Sequence, residues 1–206
     1  MRRFLLATCL LVGPLLAQDP PPASTVDELV RSAQIHATMA QRARTAEEAQ
    51  QRLQLALNSY EQALAAGAGS PAVLNPMAQL YLLSGNTERA IALFHRSLAE
   101  DRQKLATYSG LNDAFFALGR IDSSIHYVEA AKQIAPDNAG VRVQLGFLYL
   151  QGGARATARA QLDSALMLDP NHPQAHKLFG LWLTQAQQID SAIVVYQHVV
   201  ELQPDD

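Results

Sequence analysis

A period of 34 residues constrains the fold of this chain more than any other feature. Pro136, Pro170 and Pro204 follow one another at this spacing. The period divides the second two thirds of the chain into four segments: 71–104, 105–138, 139–172 and 173–206. A fixed period of this length is typical of arrays in which each repeat is one supersecondary unit. The fold must therefore accommodate the same unit four times in succession.

The residues that recur within the period indicate two helices per unit. One column is large and apolar throughout: Met77, Leu111, Leu145 and Phe179. Another is small throughout: Ala90, Ser124, Ala158 and Ala192. Apolar positions within each half are three and four residues apart, which places them on one helix face. Gly85, Gly119 and Gly153 mark the turn between the halves, and a proline closes the second helix. We predict an all-α solenoid of stacked helix pairs.

The third segment resembles a tetratricopeptide repeat most clearly. It contains the run Leu145-Gly146-Phe147-Leu148-Tyr149, then Ala158, and it closes with Asp169-Pro170-Asn171. The resemblance implies a right-handed superhelix of antiparallel helix pairs and a role as a scaffold for protein binding. Three features depart from the pattern: Arg102 replaces the closing proline of the first unit, Gln187 replaces the last mid-unit glycine, and the aromatic often found early in the first helix appears only as Tyr108.

The N-terminus predicts export. Met1-Arg2-Arg3 is basic, the run from Phe4 to Leu16 is apolar, and Ala17 precedes a polar, proline-rich break. This order is typical of a signal peptide over residues 1–17, followed by a linker over 18–25. We therefore expect an exported bacterial protein, periplasmic or secreted, with no membrane attachment after cleavage. A membrane anchor and a lipoprotein attached through Cys9 are the alternatives.

Residues 26–66 have helical spacing but match the repeat only in their second half. We predict a degenerate helix pair that closes the N-terminal end of the solenoid. Thr25 and Glu28 have the spacing of a capping box, which predicts that the first helix starts after Thr25. Inside the array, Pro76 conflicts with a helix unless Asn75 caps a shortened one.

No arrangement of residues predicts catalysis, a metal or a cofactor. His95, His126 and His198 belong to second helices of different repeats, so we expect them to lie far apart. His172 and His176 are four residues apart but lack a third ligand. The net charge of −3 gives no electrostatic footprint for nucleic acid. We expect a protein that is not an enzyme and needs no cofactor.

The resemblance implies that the first helices line a concave groove that binds a protein or peptide. The residues expected to face this groove are Gln79, Leu82, Asp113, Phe116, Phe147, Leu150, Lys177, Leu181 and Gln185. Five of them form an apolar stripe, which would suit an apolar helix or an extended peptide. The alternative is that these apolar side chains belong to the core.

The last helix is the most apolar of the array, and no polar capping element follows it. We expect an exposed apolar face that includes Val195, Val199, Val200 and Leu202. Such a face usually marks an interaction surface. It predicts a second possible function, a structural subunit that assembles through its last repeat, as a homodimer or with another protein. A bare end tolerated at some cost in solubility is the alternative.

Overall fold

The computed structural model describes residues 23–203, and within that span the chain forms ten α-helices and no strand. In chain order the helices are α1 (Ala23–Gln41), α2 (Ala46–Ala65), α3 (Pro71–Leu83), α4 (Thr87–Glu100), α5 (Leu105–Ala117), α6 (Ile121–Ile134), α7 (Ala139–Gln151), α8 (Arg155–Leu168), α9 (Pro173–Gln185) and α10 (Ile189–Leu202). The predicted signal peptide, residues 18–22 of the predicted linker and residues 204–206 lie outside the described residues.

The eight helices from α3 to α10 repeat with the period of the sequence. Each segment of 34 residues contains one pair, and the first helices have 13 residues while the second helices have 14. The predicted all-α solenoid is therefore confirmed. Small side chains such as Ala90 and Ser124 are fully buried where the two helices of a pair cross, because only small residues allow such a close approach.

The pair formed by α1 and α2 is longer than the others. α1 begins at Ala23, so Thr25 lies within its first turn, and the prediction that Thr25 caps this helix is wrong. The cap occurs at α2 instead, where the Thr45 hydroxyl accepts a hydrogen bond from the Glu48 amide at 3.1 Å. The Glu48 carboxylate accepts one from the Arg44 amide at 3.4 Å. This reciprocal arrangement satisfies amides that have no partner inside the helix.

The helix α3 does not begin at Pro76. It starts at Pro71 after the N-cap residue Ser70, and Pro76 lies inside it. Pro76 has no amide hydrogen to donate to the carbonyl one turn earlier, so the helix lacks one hydrogen bond there. The prediction that Asn75 caps a shortened helix is wrong, because the Asn75 side chain is buried in the array.

The array curves toward its first helices. Along their backbones α3 contacts α5 and α7 contacts α9, whereas second helices of consecutive units do not approach one another as closely. Repeats that are closer together on one side produce a curved solenoid, and the side with the shorter spacing is concave. The first helices α3, α5, α7 and α9 therefore line the concave face, as the resemblance implied. No helix in the described span is both long and apolar enough to cross a bilayer.

Candidate functional site: the concave face

Two aromatic side chains from successive first helices meet on the concave face. Phe116 on α5 and Phe147 on α7 have ring centroids 5.3 Å apart and planes inclined at 51°. Phe116 is 38% exposed, and Phe147 is half-buried between two core clusters. A tilted pair at this distance is a favourable aromatic geometry. The pair fixes an exposed aromatic surface at the junction of the second and third units.

The other predicted stripe residues are distributed between surface and core. Leu82 and Leu181 are half-buried and pack on core clusters, so each presents only one edge to the groove. The prediction that Leu150 faces the groove is wrong. Leu150 is 6% exposed and belongs to the core cluster against which Leu181 packs. Its side chain fills the junction between the third and fourth units, and a ligand in the groove would not reach it.

The predicted polar groove residues flank the apolar junctions. Gln79 and Gln185 are exposed, and Lys177 is half-buried. The residue Asp113 as a whole has exposed surface, but its carboxyl group is partly desolvated by neighbouring atoms. This desolvation raises the pKa of the carboxyl above its ordinary value. A hydrogen bond donated by the Asn112 amide at 3.0 Å opposes this shift and does not cancel it. The groove thus contains a carboxylate whose ionised form is less favoured than in water.

An apolar pocket that was not predicted from the sequence lies at the N-terminal end of the array. It encloses about 520 Å³ where the C-terminal ends of α1 and α3 meet the start of α2. Its apolar lining is Ala37, Ala40, Ala46, Ala49, Leu53, Leu80 and Leu83. Leu83 is 70% exposed at its edge. The alanines are the sequence feature that could have predicted the pocket, because small side chains on facing helices leave space between them.

The C-terminal face differs from the prediction in its residues. Val199 is 7% exposed and Val195 is half-buried, because both point back toward α9. Leu202 is half-buried as well, and only Val200 of the four predicted residues is widely exposed, at 64%. Val199 and Val200 are adjacent in sequence, and the 100° turn between consecutive helical residues puts one in the core and the other outside.

The histidines do not form a metal site among residues 23–203. His95 and His126 are closer than predicted, since both rings contact Tyr127, with centroids 5.9 Å and 5.1 Å away. The rings of His176 and His198 are also in contact, at 4.8 Å. His172 accepts a hydrogen bond from the Ala175 amide and thereby caps α9. These contacts give the histidines roles in packing and capping.

Comparison with known proteins matches this architecture. The family model described as tetratricopeptide repeat matches residues 48–112 and 115–180, more than half of the chain. The cellulose synthase operon protein C of Xanthomonas axonopodis pv. citri (strain 306) is 31% identical over 125 residues. That alignment covers 57% of this chain and 8% of the relative, so the chain spans only a small part of the curated relative's length.

Solved structures share the fold at low sequence identity. The thermophilic TPR protein TTC0263 of Thermus thermophilus is similar with a TM-score of 0.66 and 23% identity, covering 88% of this chain and 93% of that one. YrrB, described as a TPR protein with an unusual peptide-binding site, is similar with a TM-score of 0.62 and 17% identity, covering 86% of each chain. At these identities the likeness is one of fold.

Proposed function

We propose that this chain, which belongs to the tetratricopeptide-repeat family, is a non-catalytic scaffold that binds an apolar peptide or helix along its concave face. Members of this family mediate protein–protein interactions. The observation that carries the proposal is the exposed Phe116 ring, held by Phe147 at the centre of the concave face. Aromatic side chains fixed in this way are common anchors of binding energy.

The chemistry of the groove favours an apolar ligand with few charges. Phe116 and the edges of Leu82 and Leu181 supply apolar contacts, while Gln79 and Gln185 supply neutral hydrogen-bonding groups on the rim. The pocket beside Leu83 extends the apolar surface toward α1 and could receive one large side chain of the ligand. The similar fold of YrrB, described as having an unusual peptide-binding site, is consistent with a peptide as ligand.

Peptide binding to matched variants tests this function. An array of amphipathic and extended apolar peptides would first be screened against the wild type, and binding of the best peptide measured by fluorescence anisotropy. Phe116→Glu is expected to weaken binding at least tenfold and to lower the melting temperature only modestly, because the ring is 38% exposed and the rest of it packs on Phe147. Met167→Glu is the control, since Met167 is 83% exposed on a second helix, away from the groove. Equal binding by the wild type and Phe116→Glu would exclude the concave face as the site.

Phe147→Glu separates a binding role from a packing role. Phe147 is half-buried, so a charge there is expected to lower the melting temperature as well as weaken binding. Loss of stability without any loss of peptide affinity would assign Phe147 to the core alone.

The second candidate function is self-assembly through the last helix pair. Its supporting observation is the exposed apolar surface of α10, where Ile189, Ile193 and Val200 are 52%, 49% and 64% exposed. Exposed apolar side chains clustered on one helix are typical of an interaction surface. Sedimentation equilibrium of the purified protein tests this candidate, because a monomer at high micromolar concentration would exclude it.

We also propose that the protein is exported, on the basis of the signal-like sequence over residues 1–17. The intact mass of the mature protein is expected to lack these residues, within a few positions. A mass that retains Cys9 with an attached lipid would instead support the lipoprotein alternative.

A further inference from the structure

The exposed apolar residues of α10 form a single row. Ile189, Ile193, Tyr196 and Val200 are separated by four, three and four residues, which places them along one side of the helix. They are 52%, 49%, 39% and 64% exposed. We call these four residues the α10 row. Asp190 and Glu201 lie beside its two ends and are both exposed.

In the inner units the corresponding row is covered by the first helix of the next unit. Leu162 on α8, at the position of Tyr196, packs on Gly146 of its own unit on one side and belongs to the core cluster that contains Ala175 and Leu178 of α9 on the other. The Arg159 guanidinium, at the position of Ile193, lies 4.5 Å from the Phe179 ring centre on α9. The Trp182 indole on α9 donates a hydrogen bond to the Arg155 carbonyl at 2.9 Å. The α10 row therefore occupies the positions that, in the inner units, contact the first helix of the next unit.

The helix α1 carries an exposed row of complementary character at the other end of the array. Ile35 and Met39 are 49% and 44% exposed, and Arg31 and Arg42 flank them. This α1 row lines a shallow groove of about 330 Å³. It faces away from Ala33, which is completely buried against the core. Neither arginine forms an ion pair with another described residue.

The charges on the two rows have the same spacing and opposite sign. Arg42 is the first residue after α1, and its amide still donates to the Thr38 carbonyl at 3.3 Å. Arg31 and Arg42 are 11 residues apart, as are Asp190 and Glu201, and 11 residues is close to three full turns, so each pair lies near one side of its helix. The helix α10 contains no lysine or arginine. Glu201 has one weak partner, His198 at 3.5 Å.

A single antiparallel register satisfies both charge pairs and brings two of the four residues of the α10 row, Ile193 and Tyr196, against the α1 row. If Asp190 lies opposite Arg42, the same register places Ile193 opposite Met39 and Glu201 opposite Arg31. Tyr196 then falls within one residue of Ile35. Antiparallel is also the orientation of each second helix relative to the next first helix in the array.

We propose that the α10 row of one molecule binds the α1 row of a second copy, so that α1 takes the place of the next first helix and the solenoid continues from molecule to molecule. The inference rests on the second proposed function, self-assembly through the last helix pair, and names its partner surface. Because the two surfaces are different, the contact is heterologous and does not close on itself as a symmetric dimer does. Assembly is therefore expected to yield dimers, trimers and longer chains as concentration rises.

Two variants, each blocked at one end, test the inference in sedimentation velocity on the mature protein. Variant one carries Ile193→Glu and Val200→Glu, and variant two carries Ile35→Glu and Met39→Glu. All four side chains are at least 44% exposed, so both variants should fold, and circular dichroism melting checks this. Val194→Glu is the control, since Val194 is also 64% exposed but lies outside the α10 row.

The expected result is that the wild type and Val194→Glu form a concentration-dependent series of species, while each blocked variant is monomeric alone. An equimolar mixture of the two blocked variants is expected to form a dimer and nothing larger, because one intact α10 row meets one intact α1 row. Self-association that variant one abolishes and variant two retains would overturn the head-to-tail contact but leave self-assembly through α10 standing. A monomeric wild type would overturn both.

Discussion

The Phe94 ring on α4 lies directly against the backbone of Gly110 on α5, at the junction of the first and second regular units. A β-carbon placed on Gly110 would overlap three carbons of the ring. Phe94 is completely buried. A glycine in the middle of a helix ordinarily costs about 1 kcal/mol relative to alanine, so its presence here reflects the space that the ring requires.

We predict that Gly110→Ala destabilises the protein, by roughly 1–3 kcal/mol, although alanine is the better helix former. The added methyl group must displace the buried ring or separate α4 from α5. Urea unfolding gives the free energy difference. In a Phe94→Leu background the same substitution should cost less, because the smaller side chain leaves room for the methyl group, and this double-mutant cycle isolates the contact. An unchanged or higher stability of Gly110→Ala would show that the two helices are not so closely packed.

A buried polar network connects the first two regular units. The Asn75 amide donates a hydrogen bond to the Thr107 hydroxyl at 2.8 Å, and the Ser97 hydroxyl lies 3.1 Å from the same oxygen. Asn75 is 7% exposed, and Thr107 and Ser97 are completely buried. Thr107 is thus the shared partner, and the buried side chains of Asn75 and Ser97 each depend on its hydroxyl for a hydrogen bond that water would otherwise supply.

We predict that Thr107→Val, which keeps the shape of the side chain and removes its hydroxyl, destabilises the protein by about 1–3 kcal/mol. The loss comes from leaving the Asn75 amide buried without its partner. Thr107→Ser is the control, because it retains the hydroxyl and should be less harmful. The comparison is made by equilibrium urea unfolding. If the valine variant were as stable as the wild type, the network would contribute nothing to the junction of the units.

The period of 34 residues was sufficient to predict the helix pairs, because glycines and prolines mark the ends of the helices locally. It was not sufficient for features that depend on neighbours in space. The partner of Asn75 is Thr107, 32 residues later, so the side chain was misread as a local helix cap. Phe116 and Leu150 occupy the same position in successive units, yet Phe116 is exposed and Leu150 is buried. Valines lie on both sides of α10, so the sequence alone did not distinguish its buried face from its exposed face.

Gln187 occupies the turn position that glycine holds in the other three regular units. Its φ of 61° is the only positive value at a non-glycine residue in the described chain, whereas Gly85, Gly119 and Gly153 have φ between 69° and 78°. A side chain in this left-handed conformation costs roughly 1–2 kcal/mol. We predict that Gln187→Gly stabilises the protein, by about 1 kcal/mol at most after the greater flexibility of the unfolded glycine is subtracted.

Equilibrium unfolding in urea measures this gain. Gln188→Gly is the matched control, because Gln188 has a φ of −93° and glycine there should destabilise the start of α10. A stability of Gln187→Gly equal to or below that of the wild type would mean that Gln187 carries no strain in the turn.

The groove carboxylate predicts a pH dependence of stability. Burial raises the pKa of Asp113 above its ordinary value in the unfolded chain, so the folded state binds this proton more tightly than the unfolded state. The contribution of Asp113 to stability is then most favourable at low pH and becomes less favourable as pH rises through its folded pKa.

We predict that Asp113→Asn, which cannot ionise, is more stable than the wild type at neutral pH and that this advantage disappears below the ordinary pKa of an aspartate. Urea unfolding of both proteins between pH 3 and pH 7 measures the difference, with Asp137→Asn in an exposed loop as the control for net charge. A stability difference that is constant across this range would show that the Asp113 carboxylate is as well solvated in the groove as in the unfolded chain. In that case, a ligand that buries the carboxylate is expected to supply a cationic or amide partner for it.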